Sequence, residues 1–82
     1  MERAEQNSRD KEKEFLTRLG ERIKEFRRAR DMSQEALAEA ADLVQHYVSQ
    51  VEQGERNISI TTCRALAKAL GVTLIELLAG LE

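Results

Sequence analysis

Gln45, His46, Ser49 and Gln50 stand at i, i+1, i+4 and i+5 in the segment QHYVSQVEQ, so a helix places them on one polar face. Val48 and Val51 recur at the complementary spacing and give the same helix an apolar face. A glutamine amide accepts through its oxygen and donates through its nitrogen, the pattern that pairs with N6 and N7 of adenine in the major groove of DNA. Serine serves as donor or acceptor, and imidazole titrates near neutrality. His46 is therefore either a pH-sensitive base contact or a solvated helix residue. Tyr47, one position off the face, either packs or donates to a phosphate. The rest of the chain offers little other chemistry. It has no nucleophile–base constellation and no phosphate-binding glycine loop, and one His with one Cys falls short of a four-coordinate metal set. No catalytic residue, metal, cofactor or small-molecule ligand is expected.

A reading face of this kind needs a helix held at a fixed angle. Residues 32–54 (MSQEALAEAADLVQHYVSQVEQG) meet the requirements of a helix-turn-helix. Ala38 is the small residue where two helices approach, and Asp42 tolerates the left-handed backbone of the turn. Leu37, Leu43, Val48 and Val51 are spaced to lock the second helix onto the first and onto the core. Val44, by contrast, stands where Ser, Thr or Asp would cap that second helix, a loss of about 1 kcal/mol.

Helical periodicity continues on both sides. Leu16, Leu19, Ile23 and Phe26 form one stripe from Phe15 onward, and Asp31 ends it. Ser33 caps a helix predicted over Gln34–Ala41, followed by Gln45–Gln53 with Gly54 as its stop. Ser59 caps Ile60–Leu70, with Cys63, Leu66, Ala67 and Leu70 facing inward, and Gly71 closes it. Thr73 and Glu76 have capping-box spacing for a last helix reaching about Leu81. The fold class is all-α, a compact five-helix domain over residues 15–82. Residues 1–14 are nearly all polar and read as a charged, flexible extension, with helix an open reading towards its end where it runs into the first helix, and either a solvated tail or a contributor to dimer contacts. A charged N-terminus and the lack of any apolar run of membrane length point to a cytoplasmic protein without a membrane partner. Cys63, on the apolar face, is read as a small core residue.

The matching text for a known family runs from LGERIKEFRRARDMSQEALAEAADL through YVSQVEQGERNISI to RALAKALGVTLIELL. It resembles the phage-repressor and Cro-like helix-turn-helix proteins, the XRE-type regulators. The stretch GERNISI and the short length resemble the controller proteins of restriction–modification systems. The resemblance implies a lambda-repressor-like fold and a homodimeric transcriptional regulator that binds double-stranded DNA at a palindromic operator. It implies base contacts from Gln45, His46, Ser49 and Gln50. Phosphate contacts are implied from Gln34, whose helix N-terminus also faces the DNA backbone, and from the loop residues Arg56 and Asn57. An internal ion pair between Arg27 and Glu52 follows from the same resemblance. Two departures stand out: Asp42 replaces the usual turn Gly, and no Arg occupies the positions of Gln45 or His46. The family's usual operator is therefore not expected.

Charge constrains this reading. The net charge is −2, and residues 32–55 carry five carboxylates without a single Lys or Arg. Phosphate neutralisation is expected from the first helix, Arg28 included, from Arg56, from Tyr47 as a donor, and from helix N-termini, with a modest salt dependence per protomer. Leu74, Ile75, Leu77, Leu78 and Leu81 are too many apolar residues for one short helix to bury, so Ile75, Leu78 and Leu81 are expected at a dimer interface. With no sensing domain in these 82 residues, control is expected to act through protein concentration. The competing function is an antitoxin-type interaction module that neutralises a partner protein through the tail or the last helix.

Overall fold

In the computed structural model the backbone is described from Glu2 to Glu82 and the side chains from Arg9 onward. Every regular element among the described residues is a helix: α1 (Glu2–Ala29), α2 (Gln34–Ala40), α3 (Gln45–Glu52), α4 (Ile60–Leu70) and α5 (Leu74–Leu78). None is long and apolar enough to cross a membrane.

The turns follow from side chains that satisfy helix ends. Ser33 Oγ accepts from Ala36 N at 3.0 Å and starts α2. At the other end of α2, Asp42 N bonds to Glu39 O and Leu43 N to Ala38 O, at 3.2 and 2.8 Å, closing the helix in a Schellman arrangement. The left-handed residue that this needs is Asp42 (φ 58°), and Asp31 (φ 55°) plays the same part after α1. Ser59 caps α4 through Thr62 N, Gly71 (φ 73°) ends it, and Thr73 with Glu76 forms a reciprocal capping box on α5.

The core lies where α1 crosses the other helices. Ile23, Val48, Leu37, Leu66, Leu70 and Leu77 are fully buried, one or two from each helix. Cys63 joins them, and burial pushes its thiol pKa up, so it stays protonated and unreactive. Gly20 lets α1 touch α3, because a Cβ there would collide with Val51 O and lie 2.6 Å from Glu52 O. No other residue type fits that crossing without moving one of the two helices.

Two boundaries differ from the expected ones by more than a single residue. α1 is a single continuous helix of 28 residues that includes the polar segment before Phe15. Good helix formers fill that segment, Glu14 pairs with Arg18 at 2.9 Å, and nothing before Gly20 interrupts it. The expected flexibility of residues 1–14 bears partly on Met1 and the side chains of residues 2–8, which lie outside the described residues. α5 is shorter than predicted and stops at Leu78. Ala79 takes an extended backbone and Gly80 a left-handed one (φ 73°), which turns Leu81 back onto the core.

Candidate nucleic-acid interface

The helix-turn-helix is built on contact between α2 and α3. Ala38, 2% exposed, forms the close approach, while Val48 and Val51 are buried beneath α3. This anchoring leaves Gln45 and His46 exposed, with Tyr47, Ser49 and Gln50 half-buried along the same helix. α3 begins at Val44, whose side chain makes no capping bond and is 69% exposed.

A chain of polar contacts fixes one end of this face. Arg27 donates to Glu52 through Nε and Nη2, at 2.7 and 3.0 Å, and through Nη1 to Met32 O at 2.9 Å. Both members of the pair are buried, and the hydrogen bond to Glu52 holds the Arg27 pKa above its ordinary value against the opposing effect of burial. Removing either partner would strand a charge inside the protein. Gln34 Nε2 donates to Glu52 Oε1 at 3.1 Å, and Gln45 Nε2 donates to Gln34 Oε1 at 3.3 Å. Gln34 is thus tied to both the ion pair and the first residue of α3, with one N–H left over.

The far end of the face is organised by Arg56. Its Nε donates to Gln50 Oε1 at 2.8 Å, and its guanidinium lies 5.5 Å from the centre of the Tyr47 ring. Arg56 is exposed and makes no other hydrogen bond among the described residues. Ser49 Oγ accepts from Gln53 at 3.3 Å. His46 has no side-chain hydrogen bond among the described residues. Asn57 is exposed and borders a different feature, a groove of about 880 Å³ between the N-terminal half of α1 and α4–α5.

The cations of α1 and of the turn after it divide in an informative way. Arg18 pairs with Glu14, Arg27 with Glu52, and Arg30 reaches Gly71 O at 3.4 Å. Arg22 donates to Glu76 O and Ala79 O, at 3.1 and 2.7 Å, satisfying carbonyls at the end of α5. From Arg18 to the end of this helix, Lys24 and Arg28 are left without a bonded partner among the described residues, and Arg28 is exposed in its last turn.

The three residues expected at a dimer interface do not share one environment. Ile75 is 81% exposed and Leu78 is half-buried, but Leu81 is only 6% exposed and belongs to the protomer's own core. Leu81 therefore has to be corrected from interface to core, because the turn at Gly80 points it inward. Three contributors escaped the sequence reading: Gly20, Arg22 and the Gln34–Glu52 bond. The only signal for the first was a glycine within a strong helical pattern, and for the second an Arg on the edge of an apolar stripe.

With two helices so arranged, residues 23–77 match the family described as Helix-turn-helix, and the chain belongs to it. Within it the chain is a transcriptional regulator of the controller-protein type. It is 38% identical over 66 residues to Control protein C.MunI from a Mycoplasma species, covering 79% of this chain and 89% of that one. To Control protein C.SmaI from Serratia marcescens it is 40% identical over 60 residues, covering 73% of this chain and 71% of the relative. In three dimensions it is similar to the restriction-modification controller protein C.AhdI from Aeromonas hydrophila, with a TM-score of 0.74 and 42% identity. That likeness covers 76% of this chain and 90% of the other.

Proposed function

We propose that this protein binds double-stranded DNA as a homodimer on a palindromic operator and thereby regulates transcription, in the manner of restriction–modification controller proteins. α3 lies in the major groove. Gln45, His46, Ser49 and Gln50 face base edges, while Gln34, Tyr47, Arg28, Arg56 and Asn57 meet the sugar–phosphate backbone. The observation that carries this reading is the fixed, outward amide of Gln45, held by Gln34 on a buried ion pair. A solvated surface glutamine has no need of such support, whereas base recognition gains from a preset side chain.

The dimer rests on surface that one protomer leaves uncovered. Ile75 projects into solvent, and the groove beside Leu78 is lined by Phe15, Leu16, Ile58 and Ile60. Two subunits bound together offset the shortage of free cations on each, since their contacts to one DNA act jointly.

The test is selection of bound duplexes from a random pool at near-physiological salt. Enrichment of a two-fold palindrome, weakened by Q45A, is the expected result. No enrichment by a protein shown to be folded would overturn the reading and turn attention to a partner protein on the apolar groove.

A further inference from the structure

The two glutamines of α3 look equivalent in the sequence, yet their neighbours leave them with different hydrogen-bonding faces. Both carboxylate oxygens of Glu52 accept from Arg27, and Gln34 meets Glu52 through its nitrogen and turns its oxygen to Gln45. Gln45 must then donate, as it does at 3.3 Å, and it keeps one N–H and a free oxygen. Arg56 has donors only, so Gln50 can meet it only through oxygen, as it does at 2.8 Å. The guanidinium also lies over the Tyr47 ring, 5.5 Å from its centre. Gln50 is left with a free amino group, while one of the two lone pairs of its oxygen is taken and the positive charge beside it disfavours a second donor there.

We infer that Arg56 converts Gln50 from an adenine reader into a donor, so that it selects a base whose major-groove edge offers acceptors, guanine or thymine, and rejects adenine. Adenine presents its N6 amino group next to N7 and needs an acceptor from the protein, a role that the guanidinium beside Gln50 Oε1 disfavours. Guanine presents O6 and N7, and thymine presents O4, both suited to an amino donor next to a cation. Gln45 retains the paired donor and acceptor that suit adenine. One helix thus carries two glutamines with two specificities, set by Glu52 through Gln34 at one end and by Arg56 at the other. This rests on the reading that α3 enters the major groove.

The experiment is the same duplex selection carried out with the wild-type protein, Q50A and R56M, each checked for helical content and for a cooperative thermal transition. Q50A identifies the position that Gln50 reads, as the one that loses its base preference. In the wild type that position should carry guanine or thymine, with adenine depleted about fivefold or more. In R56M the adenine depletion there should fall to about twofold or less, while the other positions keep their bases and affinity drops evenly across sequences. Adenine at that position in the wild type would overturn the inference. So would undiminished rejection of adenine by R56M, or a Q50A profile unchanged everywhere. Failure of the wild type to enrich any duplex would instead bring down the DNA-reading proposal beneath it, so the two failures are distinguishable.

Discussion

The two ends of this molecule are held together by different means. Around α3, side chains meet in pairs whose chemistry allows only one arrangement: Arg27 with Glu52, Gln34 with Glu52, Arg56 with Gln50. Around α5 the ties run from side chain to backbone, such as Arg22 onto the carbonyls of Glu76 and Ala79, and apolar side chains remain half covered. The first kind of construction fixes the direction of individual polar atoms, which base recognition requires. The second fixes only where a helix ends, which suffices for the apolar surface that we propose a second subunit covers.

Substitutions can break or sharpen this contrast. The largest effect is expected from R27M, which leaves Glu52 buried without its partner. Urea unfolding should show a loss of about 3 kcal/mol or more, and a loss below 1 kcal/mol would mean that the pair is dispensable. G20A comes next, because its methyl group would press on the backbone of α3. About 2 kcal/mol of destabilisation is expected in the same assay, and an unchanged midpoint would show that α1 and α3 are free to separate. V44S acts in the opposite direction. Supplying the missing cap should stabilise the protein by about 1 kcal/mol, visible as a higher thermal midpoint. The smallest effect on protomer stability is expected from I75S, within about 0.5 kcal/mol, since the side chain already faces solvent. That variant should nevertheless lower the mass found by light scattering, and an unaltered mass would remove Ile75 from the dimer surface.

Local rules made much of the fold readable. Ser33, Ser59 and the Thr73–Glu76 pair cap the helices at the residues where their types and spacing place them. Asp31 and Asp42 take left-handed backbones, and α4 spans the predicted Ile60–Leu70. These features depend on neighbours a few residues away. The end of α5 does not, since helical periodicity continues through Leu81 while the chain turns at Gly80 to fill space beside α1. In the candidate site, the polar face of α3 follows from helical spacing. The Gln34–Glu52 and Gln34–Gln45 bonds do not, because they join residues 18 and 11 positions apart and depend on how the two helices cross. Arg22 belongs to the same class: it counts as one more cation in the sequence and as a helix cap in the structure.

The length of α1 also governs how the molecule moves through water. Its 28 residues, at about 1.5 Å each, reach roughly the 43 Å of the longest dimension, against 25 and 20 Å for the other two. A single protomer of this shape has an axial ratio near two, so on its own it drags more solvent than a sphere of equal mass and tumbles faster about its long axis than across it. A sizing column calibrated with round proteins would therefore overstate its mass, and amides along α1 would relax differently from those of the helices packed across it.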